Sequence, residues 1–191
     1  MDLRVKKTKR AIIDAFLTLL KNKDFSDIAI SDIALKAQVA RPTFYLHYKH
    51  KQDVLIEYLD DMFAQYLEEI RPVLKEDSRN ITATALFNQV EKNAEYLRAL
   101  LDNNTTLIIQ DRLHAYIQEV MGMMMEAQLI EGTNSLSDAQ CNYITAALAG
   151  MAFSVILQWM EGGLRETPEE MGRFLNRITR PGVVDLLRHG L

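Results

Sequence analysis

Apolar residues in the first seventy positions recur at helical spacing, in runs separated by short polar breaks. Ile12, Phe16, Leu19 and Leu20 form one stripe, with Ile13 and Leu17 beside it, and predict a helix over about 6–20. Asn22-Lys23-Asp24 interrupts it. Ile33, Ala34 and Ala37 predict a short second helix over about 30–37. Gln38-Val39-Ala40 leaves room only for a turn. A third helix is expected over about 41–48, with Pro42 in its first turn, where a missing N–H is harmless. Val54, Leu55, Tyr58, Leu59, Met62, Tyr66 and Leu67 share one face of a fourth, over 51–70, limited by Pro72.

Glu76 to Asn80 reads as a polar linker. Beyond it a helix is expected over about 82–101, on Leu86, Phe87, Val90, Ala94, Leu97 and Leu101, then a short one near 105–110. Leu113, Tyr116, Ile117, Val120, Met121 and Met124 predict another over about 112–129. Ser137 with Gln140, and Thr167-Pro168 with Glu170, have the spacing of capping boxes. They open helices expected over 137–161 and 167–179, closed by Gly162-Gly163 and by Pro181-Gly182. The expectation is an all-α fold of about nine helices and no sheet.

Composition agrees: 8 Gly and 4 Pro in 191 residues are too few for a loop-rich β protein. The single Cys141 excludes an internal disulfide and fits a reducing cytoplasm. No apolar segment follows the first basic residues, so no secretory leader is expected. The uncharged run 139–160 is long enough for a membrane span but carries Gln140, Asn142, Thr145, Ser154 and Gln158. A buried helix of a soluble bundle is expected, and no membrane partner.

Charge divides the chain. Residues 1–51 hold eleven Lys/Arg against five Asp/Glu, a formal +6; the remainder holds eleven against twenty-one, or −10. A basic module on an acidic body points to a polyanion for the first part alone. Helix, three-residue turn, helix is also the layout of a helix-turn-helix reader of duplex DNA. Arg41 can reach a guanine edge or a phosphate, and Thr43 can hydrogen-bond or meet a thymine methyl. Tyr45, His47 and Tyr48 can bind phosphate, with Pro42 and Leu46 on the same short helix. Lys51 can neutralise the backbone, Ser31 can donate to a phosphate, and Lys6, Lys7 and Lys9 can trail along it. Phe44 is expected to pack inward on Ile33 and Ile13.

The stretch Phe25 to Leu55 resembles the DNA-binding domain of the TetR family of transcriptional regulators. Ile33-Ala34, Val39, Thr43, Phe44, Tyr45, His47-Tyr48, Lys51 and Leu55 stand at the family's spacing. Three positions depart. Gln38 stands where the family has Gly in the turn, and Ala29 and Ala40 replace hydroxyl caps, each worth about 1 kcal/mol. The resemblance implies a helix-turn-helix domain over 1–66, with the motif itself at about 29–48, and an effector-binding and dimerisation domain over 67–191.

Under that resemblance the last two long helices hold a homodimer together. Ala146 and Gly150 allow close approach, and Phe153, Leu157, Met171, Phe174, Leu175 and Ile178 supply apolar area. "QWMEGGLRETPEEM" is also similar to the C-terminal part of a Firmicutes-type subgroup. A cavity for a small apolar effector is expected among Phe63, Phe87, Tyr96, His114, Tyr116, Met121, Met124, Phe153 and Trp159, methionine being adaptable. No cofactor is expected. The four histidines are scattered without a carboxylate or Cys beside them, so no metal site is expected, nor is a catalytic constellation. The expected function is a cytoplasmic, ligand-responsive regulator, a repressor on a pseudo-palindromic operator. The alternative is an activator or co-regulator that works through a protein partner with weak DNA binding of its own.

Overall fold

A computed structural model describes residues 3–72, 81–101, 105–126 and 137–189; the linker expected at 76–80 lies outside them. Among the described residues there are nine α-helices and no strand. They are α1 (Leu3–Leu20), α2 (Ile30–Lys36), α3 (Arg41–Tyr45), α4 (Lys51–Ile70), α5 (Ile81–Lys92), α6 (Ala94–Leu101), α7 (Thr106–Glu126), α8 (Asp138–Glu161) and α9 (Pro168–His189).

Chain contacts divide the molecule into two compact units. One comprises Met1–Asp61 with Glu95–Ile109, the other Met62–Ala94 with Gln110–Leu191. In the first, the stripe predicted for α1 is core: Ile12 and Phe16 are fully buried, as are Ile33, Phe44, Val54, Leu55 and Leu59. Phe25, on a 3₁₀ turn at Phe25–Asp27 that the pattern did not signal, meets Phe16 edge-on at 6.0 Å. Segment α6 belongs here too. Lys21 pairs with Glu95 at 2.7 Å and lies over the Tyr96 ring, which packs on Tyr58.

In the second unit α5 packs on α9 so closely that Gly172 is required. A Cβ there would fall 2.3 Å from Thr84 Oγ1 and 2.7 Å from the Thr84 Cα. Both capping boxes form. Ser137 N–H donates to Gln140 Oε1 at 2.8 Å and Gln140 N–H to Ser137 Oγ at 3.3 Å. Thr167 and Glu170 repeat the exchange at 2.8 and 3.2 Å. Helix α8 is long and apolar enough to cross a membrane, and 39% of its most apolar window is buried.

Four boundaries differ from expectation. The helix expected over 82–101 breaks at Asn93, whose side-chain amide donates to the Gln89 carbonyl at 2.8 Å. That bond competes with the helical ladder, while the apolar spacing runs through unchanged. The two helices expected over 105–129 are one as far as Glu126, because Gln110 and Asp111 carry no breaker. Helix α3 stops at Tyr45 rather than Tyr48. Helix α9 passes through Pro181, which was expected to end it. Pro181 and Arg177, whose carbonyl loses its partner, are both exposed, so water can replace the bond.

Candidate nucleic-acid interface

The turn between α2 and α3 is built on an unusual backbone. Gln38 adopts φ +56°, the left-handed region where glycine is at ease and a side chain is strained by about 1 kcal/mol. It closes with Val39 N–H donating to the Ala34 carbonyl at 2.9 Å. Neither α2 nor α3 receives a side-chain cap from its preceding residue, as Ala29 and Ala40 imply. Asp32 partly compensates: its carboxylate accepts from the Ala29 N–H at 3.5 Å and pairs with Lys23 at 3.0 Å. The Lys23 hydrogen bond, then that of Ala29, holds the Asp32 carboxyl below the usual range.

Helix α3 is held by its inner side. Phe44 is fully buried and Tyr48 is 3% exposed, with ring centroids 5.6 Å apart. The outer side keeps Arg41, Pro42, Tyr45 and Leu46 in solvent, Tyr45 half exposed and Leu46 79% exposed. Thr43 and His47 are half-buried between the two sides. Lys6 and Lys7 on α1 and Ser31 on α2 are exposed. Arg41, Lys6 and Lys7 make no ion pair among the described residues, so their charges are available to a polyanion.

Three of the expected backbone contacts are corrected. Tyr48 cannot offer its hydroxyl to a phosphate: it is enclosed, unpartnered, and pushed up in pKa by burial and by Glu57. Lys51 is spent on the fold. Its ammonium donates to the carbonyls of Phe25, Ser26 and Ile28 at 2.5, 3.0 and 2.9 Å, one for each proton. It thereby ties the start of α4 to the 3₁₀ turn. Lys9, rather than trailing along the backbone, pairs with Glu57 at 2.7 Å.

The start of α4 is capped by Asp53, which accepts from the N–H groups of Lys49 and His50, both at 2.8 Å. Asp53, Glu57 and Asp60 line a shallow groove of about 390 Å³ beside α3. Phosphates approaching from that side meet three carboxylates. Lys49 and His47 share that lining, and Arg41, Tyr45 and Leu46 lie outside it.

The second unit sorts the residues expected there. Phe63, Phe87, Tyr116 and Trp159 are buried; His114, Met121, Met124 and Phe153 are half-buried. Tyr96 is the exception, because α6 carries it into the first unit against Tyr58 and Lys21. Of the expected dimer residues, Ala146, Phe174 and Ile178 are exposed and Gly150, Phe153 and Leu157 half-buried. Met171 and Leu175 face the unit's own core, 9% and 7% exposed, which removes them from a surface. Tyr143 and Met151, which the apolar stripe alone did not single out, are exposed instead.

Comparison with known proteins bears on the family and the fold. A family model described as bacterial regulatory proteins, tetR family, matches residues 12–58. One described as a transcriptional regulator C-terminal region matches residues 80–181. An uncharacterized HTH-type transcriptional regulator of Bacillus subtilis, YxbF, is 37% identical over 71 residues. That alignment covers 37% of this chain and 19% of YxbF, so the chain spans about a fifth of that relative's length. A TetR transcriptional regulator from Streptococcus agalactiae superposes with TM-score 0.67 at 22% identity, covering 92% of this chain and 95% of the other. The dihydroxyacetone kinase operon activator DhaS superposes with TM-score 0.62 at 16% identity, covering 92% and 96%.

Proposed function

The chain belongs to the TetR family of bacterial transcriptional regulators, and we propose that it is a ligand-responsive repressor that binds a pseudo-palindromic operator as a homodimer. The observation that carries this reading is the two-sided character of α3. Its inner side is core, and its outer side offers a free guanidinium, an aromatic hydroxyl and an exposed leucine. Arg41 is assigned to a guanine edge or phosphate, Tyr45 to a phosphate, and Leu46 and Thr43 to base methyls. Lys6, Lys7 and Ser31 are assigned to the flanking backbone, and His47 to its margin.

Pairing is supported by the apolar stripe left on α8 and α9: Tyr143, Ala146, Gly150, Leu157, Phe174 and Ile178. A two-fold pair would present two readers to half-sites about 34–36 Å apart or a related spacing. In this reading residues 1–66 form the DNA-binding domain and 67–191 the effector-binding and dimerisation domain, in the cytoplasm. The effector is a small, largely apolar molecule held among Phe63, Phe87, His114, Tyr116, Met121, Met124, Phe153 and Trp159. It releases DNA by binding better to the state that does not fit the operator. Activation is the second reading; DhaS, a fold neighbour, is named an activator.

Fluorescence anisotropy with DNA from the chain's own promoter tests the proposal. The expected result is a complex of two chains per site whose affinity falls steeply with salt, as counterion release requires. A single chain that ignores duplex DNA at low salt contradicts it. Transcript levels after gene deletion give the sign: a rise in the target means repression, a fall means activation.

A further inference from the structure

The interior of the second unit leaves two hydrogen-bonding atoms without partners among the described residues: the Tyr116 hydroxyl and the Gln89 amide oxygen. The residues are 4% and 2% exposed. Native folds pair nearly all such atoms, and each exception calls for an explanation, of which a bound molecule is one.

Both residues lean on one stretch of α4. The Tyr116 ring stacks on Phe63, centroids 4.6 Å apart, and meets Tyr66 edge-on at 4.7 Å. The Gln89 amide nitrogen donates to Glu69 Oε1 at 3.0 Å. Positions 63, 66 and 69 follow one another by single helical turns. The hydroxyl of Tyr66 is already engaged, donating to the Thr82 carbonyl at 2.5 Å. The Glu69 contact also fixes the sense of the Gln89 amide. With the nitrogen donating to Glu69, the free end of the amide is its oxygen, an acceptor. In the same unit the Phe87 and Trp159 rings meet edge-to-face at 5.3 Å.

We infer that the effector of this unit is an amphiphile whose polar end donates hydrogen bonds, as an amine, alcohol or primary amide does, and is not a carboxylate. The inference rests on the ligand-responsive reading above. The donor meets Gln89 Oε1, and the Tyr116 hydroxyl supplies or accepts a second bond. At Gln89 Oε1 a carboxylate end would set acceptor against acceptor, beside the Glu69 carboxyl that the same amide already engages. A bare hydrocarbon would leave both atoms unpaired.

Calorimetric titration of the full-length protein with octan-1-ol, octylamine and sodium octanoate tests this at matched tail length. The alcohol or the amine is expected to bind at least tenfold tighter than octanoate. Gln89→Leu should erase that preference, and Tyr116→Phe should weaken both donor-ended probes. If Gln89→Leu fails to fold, Gln89→Met serves, and the wild-type ranking alone still decides. The inference is overturned if octanoate binds as well or better, or if the preference survives loss of Gln89. It is also overturned if no probe binds and a crystal structure caps each atom with an ordered water. Octanoate that binds and releases DNA would sink the donor-ended effector yet leave ligand response standing. DNA affinity that no small-molecule extract alters would sink both.

Discussion

The two units use their polar groups differently, although each keeps a buried one unpaired: the Tyr48 hydroxyl in the first, the Tyr116 hydroxyl and Gln89 amide oxygen in the second. In the first, polar side chains hold together elements too short to stand alone: α3 has five residues and no side-chain cap. Lys51 ties three carbonyls, Asp53 caps α4, and Lys9 links α1 to α4 through Glu57. What remains free on α3 is the outer set, Arg41, Tyr45 and Leu46. In the second unit the long helices are well capped by Ser137–Gln140 and Thr167–Glu170, yet buried polar atoms and an apolar stripe stay unmatched. A cation that looks available to DNA can thus be part of the scaffold, and a well-formed bundle can still be incomplete.

The contrast can be broken most forcefully at Phe44. Phe44→Ala removes the plug beneath α3 and is expected to destabilise the chain by about 3–5 kcal/mol, read by chemical denaturation. A loss under 1 kcal/mol would mean that α3 is held some other way. Gly172→Ala is the corresponding change in the second unit. The α5–α9 approach cannot take a Cβ, and overpacking of about 1–3 kcal/mol is expected while operator contacts on α3 are untouched.

Lys51→Met sharpens the comparison further. It removes the donor shared by the Phe25, Ser26 and Ile28 carbonyls and should lower stability by about 1–3 kcal/mol without flattening the salt dependence of DNA binding. A shallower slope with unchanged stability would restore Lys51 to the phosphate contacts. The smallest effect concerns pH. Asp32 and Glu170 have lowered carboxyl pKa values, Asp32 from Lys23 and Glu170 from the Thr167 N–H. Their contribution is present above the unfolded carboxyl pKa and fades as pH falls below about 4. Denaturation of Asp32→Asn across that range should show a slightly flatter acid limb; an unchanged limb would count against the Lys23 pairing.

Much of this was legible in the sequence where one local signal decided the outcome. The limits of α4, both capping boxes and the burial of Phe44 follow from spacing and residue type alone. Signals that cross between elements were not legible. Nothing local to Lys51 announces the carbonyls twenty-odd residues earlier, and Tyr48 carries the same hydroxyl as Tyr45 but on the inner side. The break at Asn93 was masked because Val90, Ala94 and Leu97 keep helical spacing across it. Met171 and Leu175 share an apolar stripe with Phe174 and Ile178, and only the packing of α5 on α9 separates core from surface.

The most direct test compares four variants on one operator fragment by anisotropy at fixed salt. Arg41→Ala and Tyr45→Ala are expected to lose about 1–3 kcal/mol of binding each, fivefold to more than a hundredfold. Tyr48→Phe and Lys51→Met, once shown to be folded and paired, should bind within a factor of two or so of wild type, about 0.4 kcal/mol. Equal losses across all four, or losses confined to Tyr48 and Lys51, would contradict the assignment of the outer side of α3 as the surface that reads DNA.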